Sequence, residues 1–508
     1  AAELAGRTGD TPPGASARPD RAAAEGDESN LLAHVVAQRP AGADSPHPLS
    51  YGQQALWFLH HLAPESDAYN VLFTARIRQT VDLDRLQGAL TALTTRHPML
   101  RTTFALGPAG PVQQAGPPDV TIERENVAGL DAIQLRERVT AFARRPLDLA
   151  RGPVMRVTLF SQAPDAHVLL ISVHHIATDA WSFEILLGEL RELLAAAAEG
   201  RPARLAPTSV EYIDFARWQT ERVGGAAGRR ERAYWETKLA GELPVLRLPF
   251  ASTRGERPAS RGAAQEFVIE ADLAGRLRQV ARGAGATLYM LLLSAYALLL
   301  RRVGGQDEVI VGSPVSGRQR REFAPVIGYF VNMVPMRLRA RGADHFAALL
   351  DHTRTEALEA FDHQDYPFAL MVKELTGSRD ASRTPVFQAV FNFIRSEDSG
   401  ALAQFFVADG TSGRLDLGGL VREPYPVPQQ EGQFELVLEM TESAGTLHGR
   451  FKCDTEVFAP ETVRRLARGF TGLLQAIAGR PDATIAELAA AIEAVAGPAG
   501  VDREEIDL

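Results

Sequence analysis

Residues 174 to 182 read His-His-Ile-Ala-Thr-Asp-Ala-Trp-Ser, two imidazoles able to move a proton near neutrality and a carboxylate four residues beyond the second. The apolar run Val168-Leu169-Leu170-Ile171-Ser172-Val173 before them has the length and composition of a buried strand. Successive side chains on a strand point to opposite faces, so His174 and His175 are expected to diverge, one toward packing and one toward a cavity. Asp179 ends a short turn, and Ile185, Leu186, Leu190 and Leu193 then repeat at helical spacing. That helix is predicted from Ser182 to about Ala198, stopped by Gly200-Arg201-Pro202. Asp179 suits its N-cap. Strand, turn and helix together can hold a base at the lip of a cleft. A metal is not expected, because diverging His174 and His175 cannot share an ion and Asp179 alone completes no ligand set.

Six further segments stand in order around this one: Leu49-Ser50-Tyr51-Gly52-Gln53-Gln54-Ala55-Leu56-Trp57, Arg96-His97-Pro98-Met99-Leu100-Arg101-Thr102-Thr103-Phe104, Tyr212-Ile213-Asp214-Phe215-Ala216-Arg217-Trp218, Ile327-Gly328-Tyr329-Phe330-Val331-Asn332, His363-Gln364-Asp365-Tyr366-Pro367-Phe368 and Arg379-Asp380-Ala381-Ser382-Arg383-Thr384-Pro385. With the central HHxxxD stretch, the set resembles the seven blocks of condensation domains of nonribosomal peptide synthetases, in the chloramphenicol-acetyltransferase-like superfamily. It departs from that pattern at Ala180, where the family has glycine, and at Pro98, where an acidic residue is usual.

The resemblance implies an α/β fold with mixed sheets, two acetyltransferase-like lobes forming a V around a central tunnel. It also implies an acyltransferase joining two carrier-bound groups: the amine on a downstream acceptor carrier attacks the thioester on an upstream donor carrier, and an amide forms. The phosphopantetheine arms belong to the carriers, and the domain binds no cofactor of its own. By the same resemblance His175 is the catalytic residue, while His174, Asp179, Arg318 and Ala180 are structural at the active site. Asp179 would pair with Arg318 of Ser316-Gly317-Arg318. Trp181, Ser182 and Asn332 are carried over as tunnel-lining positions. The cyclising subfamily is disfavoured, since it has Asp where this chain has His174. Three alternatives stay open: ester formation to a hydroxyl, epimerisation of a bound aminoacyl group, and a silent docking module, for which Ala180 is the one argument.

Physical chemistry limits what His175 must do. An α-amine titrates at about 7.7 to 8.0 and a thiol at about 8.5, so attack and departure both proceed with little help. Holding two thioesters in register supplies on the order of 7 to 11 kcal/mol. A general base adds about a hundred- to ten-thousand-fold. Positioning therefore outweighs proton transfer for an amine, and less so for an alcohol.

At 508 residues the chain exceeds the size at which one core keeps growing, so two or more lobes are expected. A net charge of -9 gives no footprint for nucleic acid or an anionic membrane. Cys453 is the only cysteine, which excludes a disulfide framework and fits a reducing cytoplasm. The longest apolar stretch, Ala286 to Leu300, is too short to span a bilayer comfortably and is read as a core helix. Residues 1–47 have linker composition, 48–220 form a first lobe carrying the HHxxxD stretch, 221–485 a second, and 486–508 a tail or linker. Within these bounds, 201–262 suit a crossover between lobes. His60 and His61 are expected on a surface or interface. With no initiator Met, the expectation is one monomeric domain of a multidomain synthase, tethered through residues 8 to 45.

Overall fold

The structure, a computed structural model, describes residues 30–39, 45–248, 262–375, 384–395, 415–429, 432–455 and 457–496. Two six-stranded mixed sheets carry two cores. In the first the strand order is β12(Leu415–Leu417), β13(Leu420–Pro424), β2(Asn70–Ile77), β7(Ala166–His174), β6(Met155–Ala163), β5(Ile122–Asn126). In the second it is β10(Asn332–Arg339), β9(Glu308–Val315), β11(Ala389–Arg395), β14(Leu436–Ser443), β15(Thr446–Asp454), β8(Gly262–Ile269). A small sheet of β1(His47–Pro48), β4(Gly110–Ala115) and β3(Thr102–Gly107) flanks the first. This is the mixed α/β architecture the sequence predicts.

The unbroken apolar run of β7 reflects cover on both faces. Leu169, Ile171 and Val173 enter the main core of the first lobe. Val168 and Leu170 instead meet Phe160, Leu135, Val139 and Phe142 on the other side. The helix after the turn spans Ala180–Glu199, with Asp179 as its N-cap and Gly200 left-handed at φ 64° as its stop. The helix Leu288–Gly304 is buried from Tyr289 to Leu300, as a core helix must be. No single helix among the described residues is long and apolar enough to cross a membrane. In the predicted crossover, the helices Tyr212–Gly224 and Ala226–Lys238 place Trp218 in the first core and Trp235 in the second.

The lobes are not the contiguous halves 48–220 and 221–485. β13 pairs with β2, so β12 and β13 extend the first lobe's sheet although they come from the second half of the chain. Residues 316–331, which join β9 to β10, send Phe323, Val326, Ile327 and Phe330 into the first core. Two further boundaries change. Residues 30–37 form a helix that buries Leu32 and Val35 in the first core, so the expected tether is packed there. The helix Ile485–Ala496 packs against Pro460–Gly479 with Leu488 and Ile492 buried, so the expected tail begins as part of the second lobe. Residues 379–383 of the last sequence block lie outside the described residues.

Candidate functional site

β7 ends at His174, and His175 opens a single 3-10 turn, His175–Ala177. The two imidazoles therefore part because the chain turns, and not by strand alternation as the sequence suggested. The His174 ring is buried, and its Nδ1 accepts from the Ile176 N–H at 3.1 Å. Burial, with the neighbouring His60 and His175 adding to it, pushes His174 down to about 3, so it is neutral at pH 7.

His175 keeps part of its surface exposed. Its amide donates to the Tyr69 carbonyl at 2.8 Å and its Nδ1 lies 2.7 Å from the Thr178 carbonyl oxygen. A carbonyl only accepts, so Nδ1 carries the proton. Nε2 is then the nitrogen with the lone pair, and among the described residues it has no hydrogen-bond partner. Desolvation holds the imidazole below its ordinary value, while the Thr178 carbonyl and the Asp179 carboxylate pull it partly back. A neutral ring with one tautomer and one open nitrogen is a competent proton acceptor.

Asp179 does both things proposed for it. Its Oδ1 accepts from the Ser182 amide at 2.7 Å, capping the helix, and Arg318 Nη2 donates to it at 3.1 Å. Oδ2 accepts from the Phe330 amide at 3.0 Å. Arg318 also donates to the carbonyls of Phe323 (2.6 Å) and Val326 (2.8 Å) and lies 3.8 Å over the Phe330 ring. Buried charges persist when paired and hydrogen-bonded in this way.

Ser182 belongs to this buried knot and does not line a tunnel. It is fully buried; its hydroxyl donates to the Gly328 carbonyl at 2.7 Å and accepts from the Gly328 amide at 3.0 Å and Arg318 Nη2 at 2.6 Å. Asn332 is likewise committed to the chain: Nδ2 donates to the Gln364 and Tyr366 carbonyls and Oδ1 accepts from the Phe368 amide, each at 2.8 Å. Trp181 is 36% exposed, its indole N–H donating to the Ala324 carbonyl at 2.9 Å. Ala180 is the exposed first residue of the helix, a position at which glycine's freedom is not needed.

Four residues escaped the sequence reading. His60, expected on a surface or interface, sets its ring edge-on to His174 with centroids 5.7 Å apart. Tyr69 holds the His175 amide. The Tyr212 hydroxyl donates to the Tyr329 carbonyl at 2.5 Å, so Ser50 Oγ, 2.8 Å away, donates to Tyr212. The Tyr329 ring meets His175 at 5.0 Å and 82°. Tyr212 and Tyr329 lay within quoted blocks, so the signal was present, but the blocks carried no direction for either side chain. Gln53 of the first block sits beneath the turn, donating to the Ile176 carbonyl at 3.3 Å. No cluster of three or more metal-ligating side chains occurs among the described residues.

The family model described as Condensation domain matches residues 45–494. One polypeptide of the linear gramicidin synthase of Brevibacillus parabrevis is 34% identical over 452 residues, covering 87% of this chain and 6% of that protein. Bacitracin synthase 3 of Bacillus licheniformis is 31% identical over 450 residues, covering 88% of this chain and 7% of its own length. The chain thus spans less than a tenth of these relatives. Among solved structures, the X-domain from teicoplanin biosynthesis superposes with a TM-score of 0.78 at 25% identity, covering 88% of this chain and 97% of that one.

Proposed function

Because the chain belongs to the condensation-domain family, we propose that it joins two carrier-bound groups, the amine of an acceptor attacking the thioester of a donor to give an amide and a free thiol. The observation that carries this reading is the state of His175: neutral, fixed as the Nδ1–H tautomer by the Thr178 carbonyl, with Nε2 open. As the tetrahedral intermediate forms, Nε2 takes the proton the attacking amine must lose; when the C–S bond breaks, the imidazolium returns that proton to the departing thiolate, giving the free thiol and the neutral ring again. Positioning supplies most of the rate, since amine and thioester react readily once aligned.

The partners in this reading are an upstream donor and a downstream acceptor carrier protein, whose phosphopantetheine arms bring the reacting groups to the tunnel. Trp181 is assigned to the tunnel wall. The domain works as a monomeric unit of a larger synthase in the cytoplasm, in keeping with a single cysteine, the buried Cys453. Ala180, offered as the sign of a silent module, opens a helix where alanine is at ease, so it supplies no argument against catalysis. The test mixes the protein with one donor-loaded and one acceptor-loaded carrier and follows mass transfer by intact-protein mass spectrometry. Condensed product on the acceptor is expected. No transfer across a panel of aminoacyl and hydroxyacyl carriers would leave a docking role.

A further inference from the structure

We propose that Tyr329 is a positioning residue for the chemistry at His175, and that the buried Asp179–Arg318 pair acts on the reaction through it. Asp179 makes no hydrogen bond to either imidazole; its partners are Ser182, Arg318 and Phe330. Two of these lead to the backbone that carries Tyr329. Ser182, itself held by Arg318, grips both the amide and the carbonyl of Gly328. Asp179 holds the Phe330 amide, and Tyr212 holds the Tyr329 carbonyl.

Two glycines make room. A Cβ on Gly328 would lie 1.9 Å from Tyr212 Cδ2, and one on Gly52 would lie 2.8 Å from Tyr329 Cε1. The backbone on both sides of Tyr329 is pinned, and its ring, packed against Gly52, stands edge-on to His175.

That ring walls one side of the imidazole. It restricts the rotation that would break the Nδ1 bond to Thr178, and it keeps water off, favouring the neutral ring. The other groups facing His175 are Tyr69, His174 with His60 behind it, and the Asp179 carboxylate. Tyr329 lies in the connection between two second-lobe strands, so the contact also ties the second lobe to the base on the first.

The inference rests on the condensation reading for its substrates, and its test has an arm that does not. Nitrogen-15 NMR of the His175 imidazole is recorded against pH for the parent, Tyr329→Ala, Tyr329→Leu and Tyr329→Phe, with kcat and KM measured on loaded carriers. Tyr329→Ala is expected to raise the titration midpoint toward that of a free imidazole and to mix the two tautomers. It should lower kcat by about a hundredfold, the usual cost of a small misplacement, with KM little changed. Tyr329→Leu keeps part of the volume and guards against a folding defect; lacking the flat ring edge, it should fall between Tyr329→Ala and the parent in both readouts. Tyr329→Phe restores the ring and should recover both readouts. The proposal is overturned if Tyr329→Ala leaves titration and kcat alone, or if Tyr329→Phe loses as much as Tyr329→Ala. If the parent itself forms no product, the functional reading falls, and the imidazole titration still decides the role of Tyr329.

Discussion

Arg318 and Asp179 stand 139 residues apart in sequence and meet in the core, with side chains 2% and 1% exposed. The pair ties the N-terminus of the helix Ala180–Glu199 to residues 316–331, and so joins the two lobes beside His175. Removing one member strands the other charge, together with the donors and acceptors it served.

Asp179→Ala or Arg318→Ala should therefore lower stability by about 3 to 5 kcal/mol, in the range for a broken buried pair. Chemical denaturation of each single mutant and of the double mutant measures this. A double mutant no worse than either single is expected, because the stranded charge is then gone. Singles within about 0.5 kcal/mol of the parent, the range of ordinary surface changes, would mean that the pair is not what holds the lobes.

His175→Ala should leave thermal unfolding nearly unchanged, since the residue is partly exposed and its neighbours keep their own contacts. Product formation should fall by about a hundred- to ten-thousand-fold, the range for a lost general base. The loss should be larger with a hydroxyl than with an amine acceptor, because an alcohol does not shed its proton unaided. Single-turnover rates on matched amine and hydroxyl acceptors provide the comparison, and equal rates for mutant and parent on both would take His175 out of the chemistry.

His174 gives a pH signature of stability. Its folded value, about 3, lies below the unfolded one near 6.5, so unfolding takes up a proton throughout that interval. Its contribution is whole above about pH 6.5 and is lost as the pH falls toward 3, at about 1.4 kcal/mol per unit. Denaturant midpoints at pH 7, 5.5 and 4.5 for the parent and for His174→Leu isolate the effect from that of the carboxylates. The variant should show the shallower acid decline, and parallel declines would refute the assignment.

What the sequence made legible follows the range of the forces involved. β7 could be read because its apolar residues are neighbours in the chain, and the Asp179 cap because its partner, Ser182, is three residues away. Arg318 was reached only through a family resemblance, since nothing local announces a partner on a different lobe. His60 and Tyr69 were missed for the same reason: their contacts with His174 and His175 exist only after the helix Tyr51–Leu62 and β2 have docked. β12 is three residues long and gains its meaning from pairing with β13, which lies on β2. Ser182 was carried over with the family resemblance as a tunnel-lining position, whereas the folded chain satisfies its hydroxyl entirely inside the protein.

Ala180→Gly should be nearly silent in function. Glycine costs about 1 kcal/mol relative to alanine inside a helix, and less at its first turn, so a small loss of stability is expected. Activity should stay within about twofold, an effect of less than 0.5 kcal/mol. An inactive parent brought to life by this substitution would instead revive the silent-module reading.

The last prediction concerns the segment whose composition suggested a tether. Residues 30–37 are helical, with Leu32 and Val35 buried, and burying two such side chains is worth about 1.5 to 3 kcal/mol each. Arg39 reaches the buried carboxylate of Asp214, with Nε 2.9 Å from Oδ1, and Glu211 at 3.1 Å. Arg217 donates back to the carbonyls of Val35 and Gln38. The charged hydrogen bonds of Arg39 add about 1.5 to 3 kcal/mol, toward the lower end because its guanidinium is partly open to water. Deleting residues 1–44 should therefore lower the unfolding temperature clearly below that of a protein deleted only to residue 29. Arg39→Ala in the full chain should reproduce part of the difference, through the stranded Asp214. Thermal melts of the three proteins decide it. If both deletions melt together and Arg39→Ala melts with the parent, residues 30–39 are a tether after all, and the packed helix contributes nothing to holding the first lobe.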